Sequence, residues 1–192
     1  MSERDHSAEA EVGRAALVGE PPVADFDRFY REQYRAVVGL AYALTGSRTA
    51  AEELAQDAFT TTFRKWSTVS GYDNPEGWVR QVVANASRSW GRRKGAELRA
   101  LTKFGGRREP LVELAEPAND FWAAVRSLPT RQAQVVALHY LEDRPVDEIA
   151  AILDLGPGTV KKHLHRGRAA LARTLDEPIE TDSVDPAERS KP

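Results

Sequence analysis

The stretch PVDEIAAILDLGPGTVKKHL, Pro145 to Leu164, decides the fold. Ile149, Ala150 and Leu153 share one face of a helix, Val160 and Leu164 share one face of a second, and spacings of three and four are the helical period. Asp154-Leu155-Gly156 is a short turn between them. Small Ala150 sits where the two helices cross, a place where a bulkier side chain would push them apart. The pattern is a helix-turn-helix, whose second helix enters the DNA major groove.

That second helix continues to Leu175 as GPGTVKKHLHRGRAALARTL, with five Lys or Arg and no Asp or Glu. Its apolar face is Val160, Leu164, Leu171 and Leu175, and its other face is cationic. Gly158 and Thr159 open the helix, where free backbone N–H groups favour a phosphate. Lys161, Lys162 and His165 follow at base edges or flanking phosphates, and Arg166, Arg168 and His163 are further candidates for phosphate contact. Phosphate contacts orient a protein on the duplex, while only side chains facing the groove read sequence. An ordinary solvated basic face would explain one lysine. It does not explain turn, Ala150, Gly158-Thr159 and a uniformly positive outer face together.

The whole chain of 192 residues carries a net charge of −2, an average that hides an asymmetry. Residues 1–25 hold six acids against two bases, as do residues 176–192, so each tail is −4 and the body between them is +6. Tails so acidic and so poor in aromatics predict disorder. There is no cysteine, which excludes disulfides, thiolate metal sites and cysteine nucleophiles. No apolar run approaches the ~20 residues of a membrane span, and the acidic opening SERDHSAEAE is no signal peptide. A soluble cytoplasmic protein is expected. His6, His139, His163 and His165 do not form a metal-ligand spacing, and no phosphate loop or nucleophile motif is present. Neither a cofactor nor an enzymatic activity is expected.

Further upstream, Phe26 to Leu44 keeps helical spacing and stops at Thr45-Gly46. A second helix is predicted from about Thr49 to Trp66, with Leu54, Ala55, Ala58, Phe59 and Phe63 as its apolar stripe. Ser67 to Gly77 is dense in turn formers, after which Asn74 offers an N-cap and Pro75 a first helical position. The third helix is predicted from Pro75 to about Arg92, presenting Trp78, Val79, Val82, Val83, Ala86 and Trp90. Residues 95–118, with three Gly and two Pro, read as a linker. Asn119 to Leu128, Thr130 to Leu141 and Pro145 to Leu153 complete the second body before the basic helix. The expected fold is all-α: two small helical domains, 26–94 and 119–175, joined by a flexible basic linker, the second a helix-turn-helix domain of winged-helix-like type.

A second basic surface runs from Arg88 to Arg108, with eight bases, among them Arg92 and Arg93, and one acid, Glu97. Trp66, Tyr72, Trp78 and Trp90 lie just upstream. Aromatics beside a cationic track suit single-stranded nucleic acid, because bases stack on rings while phosphates follow the charges. Trp78 and Trp90 are read first as core residues of the third helix, whereas Tyr72, in the polar loop, is the better candidate to touch a base.

AEELAQDAFTTTFRKW, NPEGWVRQVVANASRSWGRR and LPTRQAQVVALHYLEDRPVDEIAAILDLGPGTVKKHLHRGRAAL, in that order, resemble the two domains of the short extracytoplasmic-function group of sigma-70 factors. The likeness covers about residues 26–175 and is closest to the actinobacterial type. It implies a partner, the RNA polymerase core: its β′ clamp coiled coil for Glu52, Glu53, Gln56 and Asp57 of the second helix, and its β flap. It implies promoter DNA, melted near Tyr72, Asn74, Trp78, Arg80, Arg88, Arg92 and Arg93, and duplex at the helix-turn-helix. Members of this group are commonly held by an anti-sigma protein.

The chain departs from the family pattern in the turn, where Asp154 stands for a common Gly, and at the helix start, where Gly156-Pro157 stands for a common Ser. Asp tolerates the left-handed conformation and Gly is an adequate cap, so the motif survives. Lys162-His163 replaces a commoner Ser-Arg pair. Trp66 is the only aromatic of its stretch, which fits weak intrinsic melting of DNA. The alternative is a stand-alone helix-turn-helix regulator that does not bind polymerase.

Overall fold

The structure, a computed structural model, describes residues 22–103 and 117–175, and among these there are eight helices and no strand. They are α1 (Pro22–Thr45), α2 (Arg48–Arg64), α3 (Trp66–Val69), α4 (Pro75–Lys103), α5 (Pro117–Ser127), α6 (Thr130–Tyr140), α7 (Val146–Leu153) and α8 (Pro157–Leu175). Most of the two acidic tails and residues 104–116 of the expected linker lie outside the described residues.

Local chemistry sets the ends. Thr45 Oγ1 donates to the Ala41 carbonyl at 2.8 Å, and Gly46 takes φ +67°, which closes α1. A Cβ on Gly46 would also stand 2.6 Å from Nε of Arg126 on α5, so a side chain there would displace that guanidinium. Ser47 caps α2 by accepting the Ala50 N–H at 3.3 Å. Asn74 Oδ1 accepts the Gly77 N–H at 2.7 Å, and Pro75 occupies the first position of α4, as the sequence predicts.

Two boundaries differ from expectation. Part of the predicted loop after Trp66 is the helical turn α3, which puts Trp66 and Val69 in the core. The third helix runs past Arg92, through Gly91 and Gly95, to Lys103. A single Gly inside a helix costs only about 1 kcal/mol against Ala, and the stretch between these two holds Arg92, Arg93 and Lys94, good helix formers. Lys94 and Glu97 pair at 3.0 Å just beyond.

In the first half, Val37, Leu40 and Ala41 of α1 meet Leu54, Ala55, Ala58 and Phe59 of α2, with Val79 and Val83 of α4. Phe26 and Phe29 pack on Trp66, ring centroids 5.3 and 4.9 Å away. Phe63, read as part of the buried stripe of α2, is 49% exposed with its ring 4.9 Å from Phe26. In the second half, Val125 of α5, Val135, Val136 and Leu138 of α6, Ile149 and Leu153 of α7 and Val160, Leu164 and Leu171 of α8 form the interior.

The two halves, expected as separate bodies, pack against each other. Helix α4 lies against α7, α1 lies against α5 and α6, and the buried apolar residues of both halves form one continuous cluster. The contact is partly polar: Arg80 and Gln134 are buried, Arg80 pairs with Glu142, and Gln134 Nε2 donates to the Ala84 carbonyl at 2.5 Å. Hydrophobic periodicity carries no signal for such a face.

Candidate nucleic-acid interface

The helix-turn-helix forms where the sequence places it. After Leu153 the chain turns through Asp154 in the left-handed region, φ 53°, and the Leu155 N–H returns to the Ala150 carbonyl at 2.9 Å. The Gly156 carbonyl accepts the N–H groups of Thr159 at 2.8 Å and Val160 at 3.1 Å, which starts α8. Val160 and Leu164 anchor the helix inward, and Gly167 lets it approach α6 closely. Gly158, Thr159, Lys161, Lys162, His165 and Arg166 are exposed on its outer side.

His163 and Arg168 are half-buried instead. Arg168 turns toward α6, where Nε donates to Tyr140 Oη at 2.6 Å, the guanidinium lies 5.6 Å from the ring centroid, and His139 Nε2 is 3.3 Å away. Expected on a phosphate, it braces α8 against α6. Burial, reinforced by Arg166, Arg131 and Lys162, pushes the His163 pKa below the ordinary 6.5, so its ring is neutral at pH 7. Arg131, at the start of α6, is a cation beside this surface that the sequence pattern does not single out. Burial and the nearby Arg88 push its pKa down, while Asp154 opposes them. An isolated arginine in the first turn of a short helix has no periodic signature.

The residues expected on melted DNA differ in exposure. Tyr72 is 45% exposed on the loop before α4. Asn74 is committed as the α4 cap, and Trp78 is half-buried against the core with Lys65 Nζ 5.7 Å from its ring centroid. Arg88 is half-buried, and Arg92 and Arg93 are exposed. Arg80 overturns expectation: it is 2% exposed and paired with Glu142 of the second half, so in this conformation it cannot reach a phosphate. Residues two apart on a helix face different ways, and Trp78 and Arg80 obey that geometry.

On α2, Glu53, Gln56 and Asp57 are exposed, opposite buried Leu54, Ala55 and Ala58. Glu52 is half-buried and pairs with Arg48 at 3.0 Å. Beside them a groove of about 760 Å³ lies between α1 and α2, lined by Tyr34, Val38, Tyr42, Arg48, Ala51 and Glu52 among others. Among the described residues no group of three or more His, Asp or Glu is placed to hold a metal ion, and no helix is long and apolar enough to cross a membrane.

Comparison with known proteins follows this division. Residues 29–97 match the family model for sigma-70 region 2, and residues 118–171 match that for sigma-70 region 4. An RNA polymerase sigma-E factor from Streptomyces antibioticus is 30% identical over 85% of this chain and 89% of its own length. Another from Streptomyces coelicolor is 28% identical over 83% of this chain and 89% of its own. Among solved structures, the sigma factor RpoE in complex with the anti-sigma factor NepR from Bartonella quintana aligns with TM-score 0.64 and 23% identity, over 79% of this chain and 97% of that one.

Proposed function

Because the chain belongs to the extracytoplasmic-function group of the sigma-70 family, we propose that it binds the RNA polymerase core and directs it to promoters for transcription initiation. The observation that carries this is the union in one chain of two opposite surfaces. The outer side of α8 exposes Lys161, Lys162, His165 and Arg166, and α2 exposes Glu53, Gln56 and Asp57. The first binds a polyanion; the second offers carboxylates and an amide to a protein partner.

In this reading residues 119–175 hold the upstream promoter element as duplex, with α8 in the major groove and the β flap as their polymerase contact. Residues 26–94 dock on the β′ clamp coiled coil through Glu52, Glu53, Gln56 and Asp57, and Tyr72 stacks on an unpaired base of the downstream element. Arg88, Arg92 and Arg93 then follow the phosphates of the non-template strand. The role is that of an initiation factor, with synthesis left to the polymerase in the cytoplasm. An anti-sigma protein is a further partner class, since such a protein is bound to the Bartonella relative.

In vitro transcription with purified core polymerase tests this. Defined start sites that depend on the chain are expected. DNA binding without core binding would instead make it a stand-alone regulator.

A further inference from the structure

His163 is half-buried on α8, and its Nδ1 is buried without a hydrogen-bond partner. Gly167, one turn further on, faces Val136, Leu128 and Gln132. Residues four apart share one side of a helix, so His163 stands beside the first turn of α6. Arg131 projects from that turn, its NH1 donating to Gln134 Oε1 at 3.1 Å. Lys162 and Arg166, both exposed, flank the ring on α8 itself. Arg88 of α4 and Asp154 of the turn after α7 both act on Arg131.

The charges that meet the ring are positive. Burial, then Arg166, Arg131 and Lys162, oppose its protonation. Asp154, the one acid among these groups, acts on Arg131. Like charges gathered from two helices repel, and an anion arriving from outside relieves them. A DNA phosphate held by Arg166, Lys162 and Arg131 is such an anion. It reverses the field at the ring, because an opposite charge within about 4–6 Å favours the charged form. The charged ring also donates from both nitrogens, whereas the neutral ring donates from one.

We propose that His163 is a proton-linked phosphate ligand, taking up one proton from solvent when the DNA backbone seats on Arg131, Lys162 and Arg166. The bound state holds the extra proton, so binding tightens as pH falls. One proton limits the gain to about tenfold per pH unit. This rests on the reading of α8 as the duplex-binding helix, and adds to it a proton and a ligand from α6.

The test uses the full chain and a long DNA duplex of arbitrary sequence, titrated at low salt from about pH 8 to about pH 6, where histidines are the side chains that change charge. The unaltered chain should bind several-fold more tightly at the lower end. Calorimetry in two buffers of different ionisation enthalpy should show proton uptake on binding. His163→Gln should remove most of that pH dependence. His163→Arg, a permanent cation at the same place, should bind without it and more tightly than the unaltered chain at the upper end. Its log K against log salt should be steeper there by about 0.9. Arg131→Gln, which removes the cation facing the ring from α6, should reduce both the pH dependence and the salt slope. Retention of the pH dependence in either His163 variant overturns the proposal. So does an unaltered chain that ignores pH or fails to bind the duplex. Where the His163 variants lose helical circular dichroism, Arg131→Gln decides, and an unchanged pH dependence there overturns the proposal. If the unaltered chain selects start sites with core polymerase while these tests fail, only the proton-linked ligand falls. If protons are taken up but no start site is selected, the functional reading falls and the phosphate ligand stands.

Discussion

Gly167 of α8 lies where a Cβ would stand 2.8 Å from Cγ2 of Val136 on α6, and Val136 has no exposure into which it could retreat. The β-branched side chain is stiff, so the crossing of the two helices depends on the missing methyl. Gly167→Ala adds about 1 kcal/mol of helix propensity but overpacks the core at about 1–3 kcal/mol. A net loss near ~1 kcal/mol is expected in urea unfolding. Combined with Val136→Ala the loss should be smaller than the sum of the two single changes. Strict additivity would mean that the crossing tolerates the methyl.

Asp154 supplies the left-handed residue of the turn. That conformation costs a β-branched residue about 1–2 kcal/mol, so Asp154→Val should lower the unfolding free energy by that amount. Asp154→Gly should not lower it. Equal losses in both variants would point to the carboxylate rather than the backbone.

Lys161 and Lys162 stand exposed on α8. Replacing either with Ala should weaken binding to a cognate promoter and reduce the salt slope by about 0.9 where that lysine neutralises one phosphate. A weaker affinity with an unaltered slope would assign that lysine to a base edge. No effect of either change on affinity would remove α8 from the interface.

Gln56→Arg with Asp57→Arg places two cations on the exposed side of α2. Helical content and thermal midpoint should hold, because neither side chain is in the core, while co-purification with core polymerase should be lost. Retained co-purification would move the docking surface elsewhere.

His163 titrates below the usual histidine value because burial and three neighbouring cations oppose its charge. The unfolded chain therefore takes up this proton first as pH falls. Stability that is present above pH 6.5 is lost as the pH drops through the lower folded value. His163→Gln should flatten that part of the stability profile relative to the unaltered chain. Parallel profiles would show that the ring is not desolvated.

The elements whose signals are periodic are legible in the sequence. Val160, Leu164 and Leu171 recur at helical spacing, and α8 buries those residues. Asn74-Pro75 announces the start of α4 through capping chemistry, and the cap forms. The association of the halves is hidden. Its face includes Arg80, Ala84, Gln134 and Glu142, which an amphipathic pattern scores as solvent-facing or neutral. The family resemblance accordingly places Arg80 on DNA. Only the fold brings Glu142, sixty-two positions away, to its guanidinium. Arg168 misleads for a similar reason: on the helical wheel it sits at the margin of the basic face, and only the packing of α6 sets Tyr140 beside it.

The length of α4 carries a mechanical consequence. Past Trp90 it continues for thirteen residues to Lys103, with Gly91, Arg92, Arg93 and Lys94 exposed. Thirteen residues at 1.5 Å each make an overhang of ~20 Å, and a tilt of ~10° at its root swings the tip by ~3 Å. The helix is thus a lever whose fulcrum is the packed segment around Val79 and Val83. Small changes in how that segment seats on α1 and α2 are magnified at the point where the chain departs for its second half.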